Sequence, residues 1–321
     1  MVYQEYSNIE SVNMSNFKIP LIVSVLCGGL TIGCAPTMND QESDLPVVKA
    51  ANSEFNNYWY AGKAEITSYE LKQSRYGDVH DGEAVLIFVT EPFSKLKQVK
   101  LDYGDRAGDD KTTVLKLNYT KKFNTGIYPY SMMLSAFTPV DSYNHKYTPK
   151  VTASIQEWCG QVYTQMNLDK NKYKVNAFSY FEQEGDKSFD TPKGFLEDEI
   201  FNRIRLDYKS LPTGEIELVP GLFFTRLKHE NLKMQKATAE LSERGQFILY
   251  TVEFKSDNRR LEITFSKDFP HAILEWTETY NGIGGKELTT TAKAKKSLFI
   301  DYWARNDVAD TYLRDSLDLQ F

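Results

Sequence analysis

From Asn52 onward the chain alternates apolar and polar residues with a period of two, and this pattern constrains the fold more than any other feature. Val99-Lys100-Leu101-Asp102-Tyr103 alternates, as do Leu115, Leu117 and Tyr119 around Lys116 and Asn118. Tyr173, Val175 and Ala177 repeat the pattern, then Leu261, Ile263 and Phe265, and finally Leu274-Glu275-Trp276-Thr277. Successive strand side chains point to opposite faces, so these segments predict half-buried strands with one face on a core. Ala84-Val85-Leu86-Ile87-Phe88-Val89 is apolar throughout and predicts a central strand covered on both faces.

Turn residues punctuate these runs at Asp81-Gly82, Thr125-Gly126, Arg244-Gly245, Ser256-Asp257-Asn258 and from Asn281 to Gly285. Roughly ten or more strands follow by this reading, without a fixed repeat of the kind a propeller or solenoid needs. A helix is predicted after Asp190 or Thr191, with Pro192 in its first turn, Glu197, Asp198 and Glu199 near its positive end, and Leu196, Ile200 and Ile204 on one stripe. Leu222 to Leu232 is a second candidate helix, and Asn306 to Leu319 a third with a polar, fraying end. The fold class is therefore mainly β (α+β): a curved antiparallel sheet or open β-barrel with a few packing helices. It is either one continuous body or two abutting halves, residues 52–190 and 191–321. Strand follows strand without intervening helices, which excludes a doubly wound α/β sheet.

Ahead of the alternating region, the uncharged run from Ile19 to Gly33 ends at Cys34. It is shorter than the roughly 20 apolar residues of a comfortable bilayer span and suits the apolar region of a secretory signal. Glu5 and Glu10 do not suit the start of such a signal, whereas Met14-Ser15-Asn16-Phe17-Lys18 does, so Met14 is the expected start. Residues 1–33 then form the signal peptide and Cys34 is the expected lipidation site. Gly33 fits the position before the modified cysteine, while Thr31 departs from the usual leucine. Two or more acyl chains, at roughly 0.8 kcal/mol per buried methylene, anchor stably. Residues 34–51, with Asp40, Glu42, Asp44 and Pro46, read as a lipidated N-terminus and flexible tether.

A net charge of −6 argues against nucleic acid as a partner. Of the three cysteines, Cys27 leaves with the signal and Cys34 is acylated, so Cys159 is left without an intramolecular disulfide partner. The 20 tyrosines and 19 phenylalanines suit broad sheets with half-wet faces.

Common catalytic signatures are missing from the sequence: it has no Gly-x-Ser-x-Gly elbow, Walker A loop, Rossmann fingerprint or His-Glu-x-x-His. At His229-Glu230 the second histidine is replaced by Lys233, and His80, His145, His229 and His271 are widely spaced. No catalytic residue, metal site or cofactor is expected. Asp102, Asp105, Asp109 and Asp110 read as a solvated turn. Cys159 is expected to pack as a small buried hydrophobe in a strand. Glu275 and Glu278 flank Trp276, but residues three apart on a strand face opposite ways. The segment Phe123 to Met133 is the most unusual in composition. Phe123, Tyr128, Tyr130, Met132 and Met133 either line an apolar cavity for a lipid or other greasy ligand or form an ordinary core crossing.

Tyr58-Trp59-Tyr60-Ala61-Gly62-Lys63-Ala64-Glu65-Ile66-Thr67-Ser68-Tyr69, Phe123 to Met133, Glu157-Trp158-Cys159-Gly160 and Glu275-Trp276-Thr277-Glu278-Thr279-Tyr280 resemble a family of Bacteroidota envelope lipoproteins. The resemblance implies an envelope address, most naturally the outer membrane, and carries no catalytic residues. Such sequences are sometimes labelled septum formation inhibitor Maf, a label that implies nucleotide pyrophosphatase activity. This chain contains no Pro-Arg dipeptide and so lacks the Maf Ser-x-Ser-Pro-Arg-Arg loop. The leading expectation is a lipid-anchored, non-enzymatic envelope lipoprotein, held to the membrane through Cys34 and binding an apolar ligand or an envelope partner. The alternatives are a hydrolase acting on nucleotides or glycans, and a purely structural envelope component.

Overall fold

The computed structural model describes residues 53–320 apart from 143 and 257. The expected signal, Met14, Cys34 and the whole tether therefore lie outside the described residues. In chain order the elements are α1 (Ser53–Trp59), β1 (Ala64–Arg75), β2 (Asp78–Ser94), β3 (Lys111–Thr125), β4 (Tyr128–Pro139), β5 (Lys150–Glu157), β6 (Gly160–Asp169), β7 (Lys172–Ser179), β8 (Lys187–Pro192) and β9 (Phe195–Leu196). There follow α2 (Ile200–Asp207), β10 (Gly214–Val219), α3 (Leu222–Lys228), β11 (Gln235–Arg244), β12 (Phe247–Phe254), β13 (Arg259–Ser266), β14 (Ile273–Asn281), β15 (Glu287–Ile300) and α4 (Tyr312–Ser316).

All fifteen strands belong to one sheet, ordered β8-β7-β6-β5-β4-β3-β2-β1-β15-β14-β13-β12-β11-β10-β9. Every pairing is antiparallel except the two-residue contact of β9 with β10. The two edge strands, β8 and β9, are joined by Lys193-Gly194 alone. Three Cα steps of 3.8 Å hold Pro192 and Phe195 within about 11 Å, so the sheet must coil back on itself. No ladder joins β8 to β9, and the mainly β fold is a curved sheet not closed into a barrel. The residue-190 division falls at the end of β8, but β1 pairs with β15, so the sheet runs unbroken across both segments.

Coiling turns one face of every long strand inward. Leu71, Leu86, Leu117, Leu134, Ala153 and Val175 from β1–β7 share one core with Val252, Ile263, Trp276 and Ala292 from β12–β15. The helices fill what the sheet encloses. Trp59 of α1 packs on Phe88, with ring centroids 6.4 Å apart, and Tyr58 stacks on Phe299 at 4.5 Å. Ile200 and Ile204 of α2 and Leu222 and Phe223 of α3 join the same core.

Helix α2 carries unusual cargo for an interior element: Asn202, Arg203 and Arg205 are all buried. Asn202 donates from Nδ2 to the carbonyls of Leu115 and Ala136 and to Thr138 Oγ1, at 3.0, 3.2 and 2.9 Å. Arg203 pairs with Glu199 at 3.0 Å. Arg205 clasps Glu65 of β1 with both terminal nitrogens, one at 2.7 Å, while its guanidinium lies over the Trp59 and Phe88 rings.

Several expectations need correction. The Asp81-Gly82 turn lies inside β2; the hairpin instead turns at Tyr76-Gly77, both with positive φ, which suits the two-residue link between antiparallel strands. Asp190, Thr191 and Pro192 continue β8 along β7, and the helix begins only at Ile200 after a 3-10 turn over Glu197–Glu199. Proline is acceptable there because β8 is an edge strand. The second helix stops at Lys228, where His229 takes a left-handed conformation. The C-terminal segment does not fray: Leu317 is buried against Ile66 and Val85, Ser68 Oγ donates to the Leu317 carbonyl at 2.5 Å, and the Gln320 amide donates to Glu83 at 2.9 Å. This strap covers the outer face of β1 and β2, which explains why Ala84–Val89 is apolar on both sides.

Removing one member of a buried ion pair costs about 3–5 kcal/mol, because its partner is left uncompensated. Arg205→Met is expected to lower denaturant stability by that amount, and Arg205→Met with Glu65→Leu to recover most of it. A single-variant loss below about 1 kcal/mol, the range of a solvent-exposed pair, would contradict the assigned interior role.

Candidate functional site

The alternation that makes strands also carries charges into the interior. Lys121 shares the inward parity of Leu117, Tyr119 and Phe123 on β3, and it is buried. Arg259 opens the inward series Arg259, Leu261, Ile263, Phe265 on β13, and Glu278 sits between inward Trp276 and Tyr280 on β14. These groups meet the acidic run 197–199 next to α3. Glu197 accepts from Arg259 Nη1 at 2.6 Å, and Glu278 accepts from Arg259 Nε at 2.8 Å. The guanidinium also lies 3.8 Å from the centroid of the Phe224 ring.

Three consecutive acids thus have three fates. Glu197 pairs with Arg259, and Glu199 pairs with Arg203 while accepting from Thr148. Among the described residues Asp198 has no cation of its own, and it accepts from the Leu222 amide at 3.1 Å. Burial, reinforced by neighbouring Glu197, pushes the Asp198 carboxyl up to about 8. Burial pushes the Lys121 ammonium down, opposed by Glu278; its Nζ lies 3.2 Å from Gln73 Oε1. Gly221 permits the close approach: a Cβ there would stand 2.7 Å from Glu197 Oε1.

The cluster borders a cavity of about 60 Å³ lined by Leu117, Tyr119, Phe201, Phe223 and Trp276 as well as Lys121, Asp198 and Glu278. A second cavity of about 90 Å³ lies between the inner faces of β6–β8 and α3, bordered by Val162, Phe189, Leu222 and Arg226. Both are smaller than the roughly 150 Å³ apolar cavity that admits benzene.

The aromatic segment lies apart from both linings. Phe123 and Tyr130 are buried and stacked at 4.7 Å, and Met132 is buried on the same face. The Tyr130 hydroxyl meets that of Tyr76 at 2.7 Å. Tyr128, half-buried at the strand end, donates to Glu157 at 3.0 Å and accepts from the Cys159 amide at 2.7 Å. Met133 points to the outer face and is 43% exposed, because consecutive strand residues alternate. The structure therefore brings Phe123, Tyr130 and Met132 together and sends Met133 to the other side of the sheet.

Cys159 is exposed in the Trp158-Cys159 turn, which corrects the expected buried strand position; the β5–β6 ladder closes at Glu157 and Gly160 and leaves both residues outside it. Glu275 faces outward near Lys293, whereas Glu278 faces inward to Arg259. Sequence reasoning missed Lys121, Asp198 and Arg259 as one cluster, although strand parity marks the first and last as inward-facing.

No protein-family model and no curated protein matches the chain. Among solved structures it is similar to a beta-barrel-like protein of domain of unknown function DUF1849 from Brucella abortus, at 10% identity and a TM-score of 0.43. The similarity covers 74% of this chain and 98% of that one.

Asp198 gives the cluster a pH signature. Its folded-state pKa, about 8, lies above the ordinary aspartate value of 3.8, so the folded state holds a proton that the unfolded chain releases as pH rises between them. This carboxyl makes the fold lose stability with rising pH across that window. Thermal melts of Asp198→Asn are expected to show a flatter pH dependence between about 5 and 8, with the variant gaining on wild type toward the alkaline end. Parallel curves for the two proteins would contradict the assignment.

Proposed function

We propose that this chain is a lipid-anchored, non-enzymatic component of the cell envelope that acts by binding at its outer surface, with the coiled interior serving as scaffold. The observation that carries the outward reading is the filled interior. Helices α1, α2 and α3 occupy the inside of the sheet, Arg203, Arg205 and Arg259 are each paired there with a carboxylate, and the two cavities described above measure about 60 and 90 Å³. Both are smaller than the roughly 150 Å³ cavity that admits benzene, so an acyl chain enters neither without displacing α3 residues such as Phe223.

The anchor rests on the sequence around Cys34: a short uncharged run, Gly33 before the cysteine and a polar, acidic stretch after it. An anchored protein presents its surface to envelope partners at high local concentration. The resemblance to Bacteroidota envelope lipoproteins supports the outer membrane as its address, on the periplasmic or the surface face. The apolar-ligand form of the reading requires α3 to move aside and open the space around Phe223 and Trp276.

Two measurements test this function. Cys34→Ser is expected to abolish acylation, read by intact mass, and to move the protein from the membrane to the soluble fraction; unchanged partitioning would refute the anchor. Native mass spectrometry of protein prepared without detergent is expected to show the chain with no co-purified lipid beyond its covalent acyl groups. A stoichiometric lipid adduct would overturn the outward reading in favour of a carrier.

A further inference from the structure

We propose that the outer face of β4–β7 is a binding surface for neutral carbohydrate. The inference rests on the outward-binding reading above and names the partner chemistry.

Strand registers set Met133, Ser154, Tyr163 and Phe178 in one row straight across four strands. Three inter-strand spacings make that row about 14 Å long. One flanking row contains Ser131, Gln156 and Gln161, with Tyr180 bonded through its amide to the Gln161 carbonyl. The other contains Ser135, Thr152, Gln165 and Asn176. Tyr163, Phe178 and Tyr180 are 38%, 51% and 66% exposed. No residue in the three rows is charged, in a chain where 26% of residues are. Elsewhere the outer face is laced with ion pairs, such as Arg260 with Glu253 and Glu262, and Lys293 with Glu275.

The polar side chains are already tied together. Tyr163 donates to Gln165 at 2.7 Å, Gln165 to Asn167 at 2.6 Å, and Asn167 to Gln98 at 2.7 Å. The Tyr180 ring lies on Gly160, where a Cβ would stand 2.5 Å from the ring. Such side chains lose little freedom when a ligand arrives.

The chemistry selects the class of ligand. Aromatic faces carry negative π density that attracts the C–H faces of a sugar ring, while amides and hydroxyls both donate and accept, as sugar hydroxyls do. The three charge-free rows match an uncharged partner, and the next row, with Lys150 and the Lys174–Asp169 pair, bounds them. Lipid surfaces favour Leu, Phe and Trp beside Lys and Arg, and nucleic acid requires a basic face; these rows carry no basic residue.

Affinity electrophoresis of the full chain through gels containing dextran, glycogen, xyloglucan or galactomannan tests the proposal. At least one polysaccharide is expected to retard wild type. Tyr163→Ala with Phe178→Ala is expected to weaken that binding about tenfold, or ~1.4 kcal/mol, with the far-ultraviolet circular dichroism unchanged. Ser154→Lys, which adds a charge without removing a ring, is expected to weaken it as well, and Thr277→Ala on another part of the outer face to leave it intact. Absence of retardation by all four polysaccharides, or retardation that survives both row variants, overturns the proposal. If the row variants instead abolish binding to phosphatidylcholine vesicles or self-association, the carbohydrate assignment falls while outward binding stands. Failure of outward binding itself is read separately, as a lipid adduct in native mass spectrometry.

Discussion

The clasp between Arg205 and Glu65 joins the interior helix to the middle of the sheet. A coiled sheet of this length encloses more space than its own side chains fill, and α2 occupies that space while carrying charge into it. Each buried charge then needs a partner at a fixed position. Arg205 finds Glu65 on β1, Arg203 finds Glu199 at its own helix start, and Asn202 ties to the β3 and β4 backbones. An apolar helix could slide or rotate at little energetic penalty; this one is held in register by its polar contacts. The α3 side of the core repeats the arrangement, with Arg259 fastening the acidic turn to β13 and β14.

Much of the sheet is legible in the sequence, because alternation registers directly which face meets the core. Leu115, Leu117 and Tyr119 point inward as their spacing predicts, and the apolar run at Ala84 is covered twice. What escapes is the same rule applied to charged residues. Lys121, Arg259 and Glu278 occupy inward parities, yet a charge in such a position invites the assumption of an exposed strand. Arg259 finds Glu197 and Lys121 finds Gln73, both distant in sequence, and only the fold brings them together. The start of α2 is obscured for a different reason: Pro192 suits a first helical turn and the end of an edge strand equally well, and pairing with β7 decides.

The two faces of the sheet divide the labour. Inward residues are committed to packing and to charge pairing, and the two cavities described above are small. Outward residues differ from place to place: ion pairs over β12–β15, the C-terminal strap over β1 and β2, and three uncharged rows with exposed aromatics across the middle of β4–β7. Such unevenness on a single sheet is informative, because the requirements of solubility alone would favour charge throughout.

The neighbouring placement of β1 and β15 bears on how the chain reaches its native state. Ala64 lies opposite Ile300, so the middle of the finished sheet joins two strands from opposite ends of the folded region. Strands β1–β8 can form hairpin by hairpin from local contacts, and so can β11–β15, but the contact between the two blocks spans nearly the whole chain. Closing so large a loop is slow, and until it happens β1 and β15 both present bare edges. During that interval the chain's greatest exposure to aggregation lies at its eventual centre, not at the edges β8 and β9.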